Sequence, residues 1–310
     1  MKLLRKLTLL IMLIFSWCSA ASSKSLSLTF PTTTLITFTD LDQKGLDIGC
    51  GSEGDICVAG LDGKLYCYDF YRDEWEEITL NEEIGSITRV DIDDDGRIYI
   101  VADCGTYFLD CNENWVRLPG SAKDIGVGAN FDVWKIGSDK VGDNYGVWKL
   151  FCECDCNCIC SRVCIRFRKL RFFVCTPIVK KRCHWFRAEV RGINVDVFPN
   201  GDAAVVDADG KVYIVDGQTF EYKLLEANNN PSIKAVDITV GNNGVLYITS
   251  VDKKIYKYNP ATKLWEYIDK ATVPALRICA SAYDLPSYVS FPDNWIYTSV
   301  RPNYLPCIEP

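Results

Sequence analysis

A motif of about 40 residues recurs along this chain, and a repeat of that length narrows the accessible folds more than any other feature. Five stretches align: "LDIGCGSEGDICVAGLDGKLYCYD" from 46, "VDIDDDGRIYIVADCGTYFLD" from 90, "KDIGVGANFDVWKIGSDKVGDNYGVWKLF" from 123, "VDVFPNGDAAVVDADGKVYIVDG" from 195 and "VDITVGNNGVLYITSVDKKIYKYN" from 236. A weaker sixth, "LRICASAYDLPSYVSFPDNWIYTSV", starts at 276. Each copy passes from an apolar opening through a Gly, Asp or Asn turn into two short runs rich in Val, Ile and Tyr, with another turn between them. Such runs read as strands joined by hairpins. Most copies add an aromatic-led fourth run: "WEEI" at 75, "WVRL" at 115, "WFRAEV" at 185, "FEYKLL" at 220 and "WEYI" at 265. Four strands per repeat make one blade of a β-propeller, and no later segment shows helical periodicity. The expected fold is therefore all-β, a six-bladed β-propeller of four-stranded antiparallel blades.

Anchor residues Ile48, Ile92, Ile125, Val197, Ile238 and Ile278 are spaced by 44, 33, 72, 41 and 40. The long interval marks an insertion in blade three, the Cys-rich basic segment 152–183. The sixth copy ends at Val300 without a fourth strand, while "TLITF" at 34–38 precedes the first copy with nothing to pair with. Joining the two closes the ring by an N-terminal strand and removes the exposed edges of an open sheet array. The domain plan is a signal peptide at 1–21 and a propeller over 25–310.

The opening "MKLLRKLTLLIMLIFSWCSAASS" has a basic start, an apolar run and small residues after it, the pattern of a cleaved secretory signal. Secretion suits the sixteen cysteines, since an oxidising compartment permits disulfides. Cys57 and Cys67 lie on adjacent strands of one predicted hairpin and Cys104 and Cys111 bracket another, so either pair can bridge if the register brings it within disulfide reach. The formal charge of −7 is unevenly spread, because 152–183 holds eight basic residues against two acidic ones. The remaining acidic body excludes nucleic acid, whose affinity rests on phosphate neutralisation.

The passage "WVRLPGSAKDIGVGANFDVWKIG" at 115–137 resembles the repeat of tectonin-type β-propellers: a Trp-led strand, a Pro-Gly turn, an Ile-x-Val-Gly strand and a Val-Trp strand, in that order. "WEYIDKATVPALRICASA" and "VDITVGNNGVLYITS" resemble it more loosely. The resemblance implies a secreted, non-catalytic lectin whose partners are glycans or lipopolysaccharide on microbial or cell surfaces. The fourth copy departs from the pattern with "DAAVVD" at 202–207 and the sixth lacks the glycine turns, so fewer than six equivalent sites are expected.

Three aromatic residues, Tyr99, Trp134 and Tyr247, fall at one place on the second strand of three copies and are the expected glycan-binding shelf, because a ring face matches the C–H face of a sugar. A third-strand set, Tyr66, Trp148, Tyr213, Tyr256 and Tyr297, and the outer Trp75, Trp115, Trp185 and Trp265 are expected to pack between blades. Asp47, Asp91, Asp124, Asp196 and Asp237 form an apparent column at the start of the inner strands. Such a column either accepts amide hydrogen bonds from the next blade or, crowded round one end of a channel, holds a hard cation such as calcium. The architectural use is preferred, and no cofactor is expected. With one histidine, His184, and no phosphate loop or dinucleotide fingerprint, the chain is not read as an enzyme. The alternatives are a protein-interaction propeller without sugar binding and a calcium-dependent propeller hydrolase.

The insertion remains open to three readings. Arg166, Arg168, Lys169 and Arg171 lie among Ile165, Phe167, Leu170, Phe172 and Phe173 between Cys164 and Cys175, as in a stapled cationic hairpin that engages anionic membrane surfaces. Closely repeated thiolates also suit a metal cluster, which secretion disfavours. The third reading is a tolerated loop insertion without a role.

Overall fold

The computed structural model describes residues 36–299, apart from 154–181 and the loop positions 53, 71, 111, 228–232, 242, 270, 272 and 282–284. The expected signal peptide and the Arg166–Arg171 segment lie outside the described residues. Regular structure here is β throughout, with one short 3-10 turn at Ala129–Phe131.

Among the described residues, alternating Val, Ile and Tyr runs bounded by glycine and aspartate turns give twenty-three strands. The first four are β1 (Thr39–Cys50), β2 (Ile56–Gly60), β3 (Leu65–Asp69) and β4 (Glu74–Ile78). Next come β5 (Ile87–Ile92), β6 (Ile98–Ala102), β7 (Gly105–Leu109) and β8 (Trp115–Leu118). The long pair of the chain lies in β9 (Asp124–Val127), β10 (Val133–Val141), β11 (Asn144–Glu153) and β12 (Arg182–Gly192). Then follow β13 (Asn194–Val197), β14 (Ala203–Val206), β15 (Val212–Val215) and β16 (Tyr222–Leu224). The last seven are β17 (Ala235–Val240), β18 (Leu246–Ser250), β19 (Ile255–Asn259), β20 (Leu264–Tyr267), β21 (Ala275–Ala280), β22 (Pro286–Ser290) and β23 (Trp295–Thr298).

These strands make four antiparallel four-stranded sheets, β5–β8, β9–β12, β13–β16 and β17–β20, and one seven-stranded sheet ordered β21-β22-β23-β1-β2-β3-β4. The long β1 serves twice. Its first half pairs with β23 (Thr39↔Thr298, Asp40↔Tyr297, Lys44↔Trp295), and its second half pairs with β2 from Gly45↔Gly60 to Cys50↔Ile56. The strand that pairs with β23 is thus Thr39–Lys44; of the expected 34–38, positions 34 and 35 lie outside the described residues. Of that earlier stretch, Phe38 contributes an edge-to-face contact with Tyr288. The pairing moves because 39–44 runs straight into the first inner strand and needs no intervening turn.

Face-to-face packing of successive sheets buries the apolar side of each strand, so that Ile56, Leu65, Ile100, Ile136, Val205, Ile248 and Ile255 are essentially inaccessible to water. The expected outer Trp residues lie in these interfaces. Trp75 donates its indole N–H to Leu41 O in the first half of β1, and Trp115 and Trp185 donate to Thr79 O and Pro119 O, just past the outer strands β4 and β8 of the preceding sheets. Apolar area and one satisfied donor hold neighbouring sheets together at the same point.

Inner strands approach most closely at two glycines. A Cβ on Gly49 would sit 2.7 Å from Asp91 Cα, and one on Gly126 would sit 2.7 Å from both Asp196 Cα and Val195 O. Backbone atoms cannot rotate aside as a side chain can, so Gly126→Ala is expected to destabilise the fold by about 1–3 kcal/mol. Urea unfolding measures this directly, and an unchanged midpoint would show that the β9–β13 contact can open.

Candidate functional site

The inner strands β1, β5, β9, β13, β17 and β21 pack in succession, and β21 returns to β1. Their register follows from the residue that begins each hairpin pairing: Cys50↔Ile56, Ile92↔Ile98, Val127↔Val133, Val197↔Ala203, Val240↔Leu246 and Ala280↔Pro286. Three residues back from these positions stand Asp47, Arg89, Asp124, Asn194, Asp237 and Arg277. One residue back stand Gly49, Asp91, Gly126, Asp196, Thr239 and Cys279. The expected single column of five aspartates is therefore two tiers. Asp91 and Asp196 belong to the upper tier, because the sequence alignment of their copies was two residues out of register.

Each tier ties one strand to the next. In the lower tier, Asp47 accepts the amide of Val90 at 3.0 Å, Asp124 that of Val195 at 2.8 Å, Asn194 that of Ile238 at 3.1 Å and Asp237 that of Ile278 at 2.8 Å. Arg89 Nε lies 3.2 Å from Asp124 Oδ1, as an ion pair rather than an aligned hydrogen bond. Arg277 bridges Asp237 at 3.2 Å and Asp47 at 3.9 Å. In the upper tier, Asp91 accepts from Val127 N at 2.8 Å and Asp196 from Val240 N at 2.6 Å. The column thus serves architecture, and among the described residues no group of three or more His, Cys, Asp or Glu side chains is arranged to hold a metal.

Burial raises these carboxyls. Asp124 is pushed up to about 8 by loss of water, against the pull of Arg89, and Asp196 to about 7 by loss of water, against its amide donors. Asp91 is held well above the ordinary range by burial and by the Asp196 charge, and Asp237 is raised by burial. A small polar chamber of about 20 Å³ caps the upper tier, with Asp91, Asp196 and Thr239 in its wall. That is room for about one water molecule.

The expected sugar shelf is not at the surface. Tyr99, Trp134 and Tyr247 are each 0% exposed. Tyr99 stacks on Phe108 and donates to Asp93, Trp134 donates Nε1–H to Gly201 O at 3.2 Å, and Lys257 lies over the Tyr247 ring. Their strand position faces the next sheet, so ring area that suits a sugar is spent on packing. Of the third-strand set expected between blades, Tyr256 is buried while Tyr66, Trp148, Tyr213 and Tyr297 are half-buried. Tyr66, Trp148, Tyr213 and Tyr256 each donate to an aspartate of their own hairpin, namely Asp62, Asp139, Asp207 and Asp252, and Tyr297 stacks on Tyr288.

An open pocket of about 420 Å³ lies instead between the β13–β14 and β17–β18 hairpins. Phe198, Pro199 and Ile214 form its apolar wall, Asn200, Asp202 and Asn243 its polar one, and Gly244 its border. The size falls within the range of small-molecule sites, roughly 300–1,000 Å³, and an apolar wall with a few placed polar groups is their usual chemistry. Sequence reasoning passed over this site. Its only signal is Phe198 in "VDVFPNGD", an aromatic residue at the mouth of a Pro-Asn-Gly turn.

Three disulfides fall among the described residues: Cys50–Cys279, Cys57–Cys67 and Cys152–Cys183. The second is the expected hairpin bridge, and the third clamps β11 to β12 where the insertion leaves the sheet. Cys104 is a free, exposed thiol, and Cys111 lies outside the described residues. Such bridges suit an oxidising compartment, and among the described residues no helix is long and apolar enough to cross a membrane.

No protein family and no curated protein matches the sequence. Solved structures do resemble the fold. Virginiamycin B lyase from Staphylococcus aureus is 11% identical with a TM-score of 0.52, covering 84% of this chain and 97% of the other. The structure described as YCF48 bound to D1 peptide is 13% identical with a TM-score of 0.50 over 83% and 77%. A chain of the Mitotic Checkpoint Complex is 10% identical with a TM-score of 0.51 over 90% and 95%. The tectonin type finds no support in these likenesses, which include an enzyme and protein-binding assemblies and speak for the architecture alone. The chain is a β-propeller.

Proposed function

We propose that this chain is a secreted, non-catalytic recognition propeller of six blades, closed by β1, that binds glycans on cell or microbial surfaces. The observation that carries this reading is the pocket between the β13–β14 and β17–β18 hairpins, where an aromatic side chain stands beside two amides and a carboxylate. That combination is what a pyranose needs, an apolar platform for one ring face and fixed hydrogen-bonding groups for its hydroxyls. The tectonin-like repeat at 115–137 supports the same reading. Six blades are supported by the dual pairing of β1, which lies beside β23 with its first half and beside β2 with its second. The absence of catalysis is supported by the inner-strand carboxylates, whose bonds to amides and arginines leave them holding the ring. It is further supported by His184, exposed on the outer strand β12.

A second reading rests on the same apolar wall. Phe198 and Ile214 also suit an aliphatic or aromatic side chain of a peptide, and the similar structures include protein assemblies.

Glycan-array screening of the full chain and the Phe198→Ala variant, followed by calorimetry, tests the proposal. The full chain is expected to bind a defined set of glycans, and the variant to lose about tenfold or more in affinity while melting as a folded protein. Array binding by neither, with retention of peptides on a peptide library, would replace the glycan reading by the second.

A further inference from the structure

The six hairpins at the ends of the inner strands share one backbone design. In each, the first residue donates its amide to the carbonyl of the fifth: Gly51 to Asp55, Asp93 to Arg97, Gly128 to Asp132, Phe198 to Asp202, Gly241 to Val245 and Ser281 to Leu285, at 2.8–3.2 Å. Equivalent geometry makes the side chains directly comparable. Five hairpins begin with glycine, aspartate or serine, and one begins with phenylalanine. Phe198 rests part of its ring on the core formed by Ala204, Val206, Ile238 and Val240 and is only partly buried, so it breaks an otherwise small or polar repeat while leaving apolar surface at the pocket, where a site is grafted onto a repeat fold.

The neighbouring sheet holds this hairpin rigidly. Gly201 O accepts from Trp134 Nε1 at 3.2 Å and from Lys149 Nζ at 3.4 Å, and Lys149 also reaches Gly217 O at 3.0 Å. Asp132 neutralises that ammonium at 2.8 Å. Asp202 Oδ1 accepts the Gly217 amide at 2.8 Å, and a Cβ on Gly217 would lie 2.3 Å from Gly201 O. Trp134 is thus a positioning residue for the pocket rather than its sugar shelf. A wall fixed in advance spends less binding energy on ordering.

Charge then selects the ligand. Among the described residues Asp202 is the one ionisable side chain in the pocket wall, and its second oxygen accepts Asn200 Nδ2 at 2.9 Å. A carboxylate has lone pairs beyond these two bonds and takes hydroxyl donors readily. Pro199 also lines the channel chamber, whose wall contains Asp91, Asp94 and Asp196. Among the described residues, no arginine or lysine lines either cavity. Resting on the glycan reading above, we propose that the Phe198–Asp202 hairpin forms a single saccharide site per chain that accepts uncharged sugars and rejects sugars bearing carboxylate or phosphate. The lipid-linked phosphates of lipopolysaccharide are then not what this pocket reads.

The test uses the full chain in calorimetry and ligand-observed NMR with methyl glucoside, methyl galactoside and N-acetylglucosamine, against glucuronate and glucose 6-phosphate. The expected result is one site per chain and at least one uncharged sugar favoured over both anionic sugars by about tenfold or more. Asp202→Asn keeps a carbonyl for the Gly217 amide and removes the charge. It is expected to narrow that preference by about threefold or more, while Phe198→Ala abolishes binding of every sugar. Anionic sugars bound as well as uncharged ones, or a preference unmoved by Asp202→Asn, would overturn the charge selection. A stoichiometry above one, or sugar binding indifferent to Phe198→Ala, would overturn the site while leaving glycan recognition standing. No binding of any sugar by the full chain would remove the glycan reading itself.

Discussion

Replacing Cys50 and Cys279 together by serine lowers the melting temperature of this protein by on the order of 10 °C, and by more than the same treatment of Cys57 and Cys67. The two bridges differ in what they close. Cys57–Cys67 spans a separation of 10 residues between adjacent strands that already pair, whereas Cys50–Cys279 spans 229 and links the first inner strand to the last. Loop-closure entropy puts the first at roughly 3 kcal/mol and the second at roughly 5 kcal/mol. The longer bridge also ties β21 to β1, the strand whose first half, Thr39–Lys44, pairs with β23. Without it, that seam depends on a short ladder with a register break, on the Arg277–Asp47 pair and on the packing of Ile48 and Val58 against Val289 and Ile296. Differential scanning calorimetry of the two double variants decides the matter. Equal losses would mean that the noncovalent seam suffices.

Stability is also expected to fall as pH rises from about 5 to 8.5, by on the order of 10 °C in melting temperature. Asp124 and Asp196 titrate near 8 and 7 in the folded chain because burial disfavours their charged forms, against about 3.9 for an unfolded aspartate. Groups whose folded pKa lies above the unfolded value bind extra protons in the fold. Their contribution is complete below the unfolded pKa and is lost as pH climbs through the folded one. Asp91 and Asp237 shift in the same direction. Five carboxylates and two guanidiniums share the two tiers, so full ionisation leaves like charges facing one another across the channel. Asp196→Asn, which removes one of these titrations, should flatten the decline. A melting temperature that held level or rose over this range would contradict the assignment.

The clearest failures of sequence reading share one cause. Tyr99, Trp134 and Tyr247 were placed correctly on second strands, since β6, β10 and β18 contain them. Strand periodicity says that alternate residues share a face, but both faces of a strand inside a stack of sheets are covered, so it cannot say which aromatic residues meet water. The aspartate column failed by register. "VDID" and "VDVF" align with "LDIG" and "KDIG" by their acidic residue, yet the hydrogen-bond ladders place Asp91 and Asp196 two residues further along the inner strand. A shift of two keeps the face and changes the tier, which the amino-acid pattern alone does not register.

What the sequence determined by itself was local. Its repeat, its turn residues and its aromatic-led fourth strands set the class, the strand positions and the site of the insertion, because each depends on neighbours within one hairpin. Tertiary structure alone decided the pairing of Thr39–Lys44 with β23, the Cys50–Cys279 bridge and the pocket at Phe198. Each joins residues on different blades, dozens to hundreds of positions apart along the chain, and proximity of that kind arises only when the sheets pack.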